Sequence, residues 1–157
     1  MPPGLSVAQQ VEELSRQKAR EVAATAQPGD LIIAADTVVS IDDRVLGKPR
    51  TAREAQEMLA GLSGRAHRVY TGVTVCRDGV ELTQHECTKV IFRTLSQQEI
   101  QAYVQTGESN DKAGAYGIQG RGCVLVEGIE GDYYNVVGLP VCRLALMLRE
   151  FGVEVIK

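Results

Sequence analysis

No stretch of this 157-residue chain stays apolar for long enough to cross a membrane, and none has the pattern of a signal peptide. Basic residues are never clustered: 17 lysines and arginines stand against 20 acidic residues, for a formal charge of −3. A nucleic-acid groove or a membrane-surface patch needs a concentrated basic field, so neither partner is expected. The four cysteines, at 76, 87, 123 and 142, show no Cys-x-x-Cys or Cys/His ligand spacing. Reduced thiols in a cytoplasmic protein are expected. His67 and His85 fall on expected strands without partner ligands nearby and read as structural. Internal repeats, low-complexity tracts and linkers are missing too, which leaves one domain over residues 1–157, large enough to bury a core. Glycine alone is in excess, at 16 residues, and its use is in tight turns and close backbone approaches.

The periodicities describe an α/β protein. Residues 6–26 read as a helix capped by Ser6 and stopped at Pro28-Gly29, with an inward stripe of Val7, Val11, Leu14, position 18 and Val22. Position 18 is Lys18: either a snorkelling stem with its ammonium at the surface, or a cation aimed at an anion. Leu31 to Ala35 is a continuous apolar run, expected as a strand buried on both faces with Asp36 at its carboxyl end. A hairpin turning at Asp42-Asp43 leads to Gly47-Lys48-Pro49. Thr51-x-x-Glu54 and Ser96-x-x-Glu99 are capping boxes, each opening a helix. Two long strands, 67–77 and 80–92, join across Asp78-Gly79. A strand at 122–126, a helix from Pro140 and a short terminal strand over 153–156 complete a mixed sheet flanked by helices.

Chemistry concentrates in three places. Asp36, at a strand end, can hold a divalent metal or take a proton from water. Lys48 has a fixed backbone between glycine and proline. Residues 111–120, Asp-Lys-Ala-Gly-Ala-Tyr-Gly-Ile-Gln-Gly, offer Asp111 as an oxygen ligand or base and Lys112 as a cation. Their glycine N–H groups could form an anion nest, and the Gln119 amide complements the N3–H and carbonyl edge of uracil or thymine. Two commoner phosphate motifs are absent. Five residues before Gly47 stands Asp42 rather than glycine, and Pro49 replaces the Walker Ser or Thr. The glycines at 114, 117 and 120 do not make a dinucleotide fingerprint.

Ala35-Asp36-Thr37, Gly47-Lys48-Pro49, Leu62-Ser63-Gly64, His67-x-Val69-x-Thr71-Gly72, residues 107–120 and Asn135 to Pro140 occur in one order. The set closely resembles the Maf family of nucleoside triphosphate pyrophosphatases over essentially the whole chain. The resemblance implies cleavage between the α- and β-phosphates to a monophosphate and pyrophosphate, with magnesium as cofactor and metal ligands left unassigned. It also implies the elongated α/β architecture shared with inosine triphosphatases, often as a homodimer. Asp36 matches the family's general base and Lys48 its phosphate-contacting lysine, the two catalytic candidates. Lys18 matches the lysine that ends the family's first complete helix motif. Thr37 and Gln119 match positions that mark the branch preferring dTTP and UTP. With Asp111 and Lys112 they are the substrate-binding candidates. The family's opening strand with Ser-x-x-Arg-Arg is not in this sequence, so a segment of about 30 residues, a strand and its helix, is expected to be missing. Two alternatives stay in view: a nucleotide-binding regulator of cell division without turnover, and an inosine-triphosphatase-like enzyme for deaminated purines, against which Thr37 with Gln119 argues.

Overall fold

The computed structural model describes residues 4–157. Its strands are β1 (Ile32–Ile41), β2 (Arg44–Leu46), β3 (Ala66–Arg77), β4 (Val80–Phe92) and β5 (Val126–Glu130). Its helices are α1 (Val7–Ala23), α2 (Ala52–Leu62), α3 (Gln97–Gln105), α4 (Tyr133–Val137) and α5 (Val141–Arg149). The strands form one sheet in the order β2-β1-β3-β4-β5 with flanking helices, the α/β class expected. The pairings of β1 with β2 and of β4 with β5 are both antiparallel, so the mixed directions suggested by the element order are not seen there. The residues fall into two compact units. The first holds the described residues up to Thr37 together with Tyr70–Cys87 and Tyr134–Lys157; the second holds Val38–Val69 and Thr88–Tyr133.

In the first unit, Ser6 opens α1 with a full capping box: its hydroxyl accepts from Gln9 N, and the Gln9 side chain accepts from Ser6 N. Such a cap contributes about 1 kcal/mol. The buried stripe of α1 shares Val11 with the one expected and then departs from it. Val11, Ser15 and Ala19 face inward at steps of four, while Val22 is exposed and Lys18 stands at the edge. Close approach is the reason. Gly72 on β3 leaves room for the backbone at Val11 itself, and only small side chains can follow along that ridge.

Ser15 is then fully buried, and its hydroxyl must be satisfied. It donates to Glu12 O at 2.8 Å, so it accepts from Thr74 Oγ1 at 2.8 Å, and Thr74 accepts from Thr83 Oγ1 at 2.8 Å. One chain of hydroxyls runs from β4 through β3 to α1 with every hydrogen assigned. Val73, Val75, Leu144, Met147, Leu148 and Phe151 form the apolar core beside it, and α5 begins after Pro140 as expected. Residues 153–156 are not a strand, and Val155 and Ile156 are exposed. Their composition suits a strand, but among the described residues no strand of the sheet pairs with them.

In the second unit the hairpin is as expected. Val39 faces Leu46 and Ile41 faces Arg44, with Asp42 and Asp43 both at positive φ, 52° and 60°, the twist that a two-residue hairpin turn requires. Thr51 caps α2 by accepting from Glu54 N, but Glu54 does not complete the box; it accepts instead from Arg50 Nε. Ser96 and Glu99 do complete theirs on α3. The strand expected at 122–126 comes later: 121–125 are a 3-10 turn, and β5 begins at Val126.

His67, Phe92 and Tyr116 form a buried cluster of edge-on rings, with His67 Nε2 2.6 Å from Tyr116 Oη. Burial holds the His67 pKa down, from 6.5 to about 4, and its Nδ1 has no hydrogen-bond partner among the described residues. The sign follows directly. Between pH 6.5 and 4 the unfolded chain binds this proton and the folded one does not, so stability is lost as pH falls through that window and is complete above it. The shift corresponds to about 3 kcal/mol. Urea unfolding at pH 7, 6, 5 and 4 should show a shallower acid slope for His67→Phe than for the parent chain, because all other titrations cancel in the comparison. Equal slopes would remove His67 from this role.

Candidate functional site

The first unit brings Lys18 and Asp36 together. Lys18 Nζ lies 2.6 Å from Asp36 Oδ1 and also donates to Ala35 O at 3.3 Å. Lys18 reaches this position because the small-residue ridge, not its own row, faces the sheet. The ammonium is half exposed and the carboxylate side chain only 18% exposed. Asp36 is not at a strand end, as the sequence suggested: it is the fifth residue of a ten-residue strand. Nor is that strand buried on both faces, since Ile33 is exposed. An Asp-Thr pair breaks the apolar run, yet the backbone ladder carries straight through it.

Thr37 follows on β1. Its hydroxyl lies 2.8 Å from Thr71 Oγ1 and 3.4 Å from Gly138 O, while Thr71 Oγ1 lies 3.3 Å from Asn135 O. Two hydroxyl hydrogens serve three contacts, so one of the longer bonds to a carbonyl is open at any moment. In the sequence Thr71 has a place in the His67-x-Val69-x-Thr71-Gly72 motif but no role of its own.

The second unit holds Lys48, Asp111, Lys112 and Gln119. Gly114 N donates to Gly47 O at 3.2 Å, which sets the Gly47-Lys48-Pro49 segment against the 111–120 loop. Lys112 Nζ is 3.3 Å from Asp111 Oδ1, an exposed pair worth little to stability. Lys48, Asp111 and Gln119 are exposed, and so accessible to a ligand. The expected glycine nest is not available. Gly114 N is bound to Gly47 O, Gly117 N to Tyr103 Oη at 3.0 Å and Gly120 N to Gly117 O at 3.3 Å. In this loop those three glycine amides are therefore all bound within the protein.

The first unit thus carries a strand carboxylate paired with a helix lysine, and the second a loop that bears a lysine and a glutamine. The chain belongs to the Maf-like protein family, whose profile matches residues 3–151. It is similar to the dTTP/UTP pyrophosphatase of Symbiobacterium thermophilum, with 54% identity over 147 residues, covering 94% of this chain and 75% of the relative. The dTTP/UTP pyrophosphatase of Moorella thermoacetica is also 54% identical, over 99% of this chain and 78% of the relative. That of Bacillus pumilus is 48% identical, over 95% and 78%.

Proposed function

We propose that this chain is a nucleoside triphosphate pyrophosphatase that hydrolyses dTTP and UTP to the monophosphate and pyrophosphate. The likeness to proteins named for that activity, at about half identity over nearly the whole chain, carries the reading. In this reading Asp36 takes the proton from a water that attacks the α-phosphorus. The bond from the α-phosphorus to the bridging oxygen breaks, and the electron pair leaves with pyrophosphate. Little covalent work falls to the protein; charge neutralisation does most of it. Lys18 orients the Asp36 carboxylate through their 2.6 Å contact. Lys48 and Lys112 offset the charge of the phosphates, and Asp111 steadies Lys112. Thr37 and Gln119 contribute to base choice.

Magnesium fits this donor chemistry. It binds with substrate phosphates and one or two carboxylates, and Asp36 is the half-buried hard-oxygen donor that would hold it. When bound, the ion neutralises charge on the triphosphate. The same reading puts the protein with the nucleotide pool of the cytoplasm, as a monomer or a homodimer. Among the described residues no helix is long and apolar enough to cross a membrane.

Pyrophosphate release from dTTP, UTP, CTP and GTP with magnesium tests the reading, and preference for the first two is expected. Gln119→Ala should narrow the UTP-over-GTP preference by roughly tenfold or more, since a site built to hydrogen-bond a base edge loses its means of discrimination. An unchanged ratio would take Gln119 out of base recognition.

A further inference from the structure

Glu108 stands at the start of the loop after α3 and is not among the site candidates read from the sequence. Its Oε1 accepts from Tyr103 Oη at 2.6 Å and from Gly122 N at 3.0 Å, and its Oε2 accepts from Arg121 N at 2.9 Å. The Tyr103 hydroxyl accepts in turn from Gly117 N at 3.0 Å. Residues 117–120 close as a turn, Gly120 N to Gly117 O, with Gln119 on it. That turn is held at its first residue by Tyr103 and just beyond its last by Glu108. A single carboxylate therefore anchors both sides of the residue that presents the amide.

The neighbouring sequence is shaped to let the carboxylate in. A Cβ on Gly120 would come 2.3 Å from Glu108 Oε2. So Gly120 serves the approach of Glu108 rather than a ligand. Burial opposes ionisation of Glu108, but the hydrogen bonds from Tyr103, Gly122 and Arg121, with the nearby Lys112 charge, outweigh it and hold the pKa below the usual carboxylate value. The group is a fixed anion inside the loop. Gln119 is exposed, and an exposed amide on a loop reads a base edge selectively only if its backbone is held to within about 0.5 Å.

We infer that Glu108, acting with Tyr103, is the positioning residue that fixes the Gln119 turn and thereby sets which nucleobase the protein accepts. This rests on the nucleotide reading above, but on its binding step and not on turnover. The test is calorimetric titration of non-hydrolysable α,β-methylene analogues of UTP and GTP, with the parent chain, Glu108→Gln and Tyr103→Phe. The Gln side chain keeps one accepting oxygen and turns an N–H donor towards backbone N–H groups. The UTP-over-GTP affinity ratio should fall about tenfold in Glu108→Gln and about threefold in Tyr103→Phe, the scale of losing one charged or one neutral hydrogen bond. Hydrogen exchange at the amides of 117, 121 and 122 should quicken in both.

A merely structural role would weaken both nucleotides alike and leave the ratio unchanged, which overturns the inference. So does a parent chain that binds the two analogues equally. Should Glu108→Gln fail to fold by circular dichroism, Tyr103→Phe, which keeps the carboxylate, decides alone. A parent chain that binds UTP selectively yet releases no pyrophosphate overturns the pyrophosphatase reading and leaves this one standing.

Discussion

Asp36→Asn should lower the rate of pyrophosphate release from UTP about a thousandfold, within the range that a positioned general base supplies. The substitution keeps shape and removes only the charge and the capacity to take a proton. Nucleotide should still bind, with an affinity within a few-fold of the parent or tighter. The reason lies in the pair: without the carboxylate, the Lys18 ammonium 2.6 Å away is left as an uncompensated cation, which attracts a triphosphate. The fold should barely notice. Lys18 is half exposed, and an ion pair with one exposed partner is worth at most about 1 kcal/mol. Single-turnover pyrophosphate release together with calorimetric binding separates these effects. Parent-level turnover in the Asn variant would strip Asp36 of the role of base. Lost binding with lost turnover would show that Asp36 matters first as the holder of magnesium or substrate rather than as the base.

Gly72→Ala should be the most damaging single-methyl change among the described glycines of the first unit. An added Cβ would lie 2.1 Å from Val11 O and 2.8 Å from Glu12 N, which are backbone atoms of α1 and cannot rotate away. The helix must lift by more than 1 Å to restore ordinary contact. Lifting it stretches the 2.8 Å bond between Ser15 and Thr74 and loosens the seat of Lys18. Overpacking of this kind costs about 3 kcal/mol or more, or roughly 10 °C in melting temperature for a domain of this size. Gly61→Ala is the control. A Cβ there meets nothing within 4 Å, and a glycine near the end of α2 should give a small stabilisation, up to about 1 kcal/mol. Melting curves by circular dichroism check both. A Gly72→Ala melt equal to the parent would show that α1 does not rest on β3 as described.

The elements set by local chemistry were readable in advance. Asp42-Asp43 and Asp78-Gly79 force tight hairpins because their backbones accept positive φ. Ser6 and Ser96 open α1 and α3 through side chains that reach only their own helix. Asp36 stands out because it follows an apolar run, Lys48 because glycine and proline fix its backbone, and 111–120 because it mixes charges and glycines without a helix or strand period. Other features misled for physical reasons. Hydropathy places the face of α1 on Val7, Leu14 and Val22, whereas the close approach at Gly72 turns Ser15 and Ala19 inward beside Val11. The 153–156 run has the composition of a strand without a neighbour to pair with. The glycine amides of 114, 117 and 120 looked open to an anion, yet each is bound within the second unit.

The order of turns, caps and strands, and the residue types that nucleotide chemistry requires, were fixed by the amino-acid sequence alone, because those forces act over a few residues. Tertiary structure decided which side chain meets which: that Lys18 reaches Asp36, that Ser15 is buried under Thr74, and that Glu108 holds the Gln119 turn. Such pairings join residues 13 to 59 positions apart. They depend on how closely two backbones can approach, and no spacing along the chain records that distance.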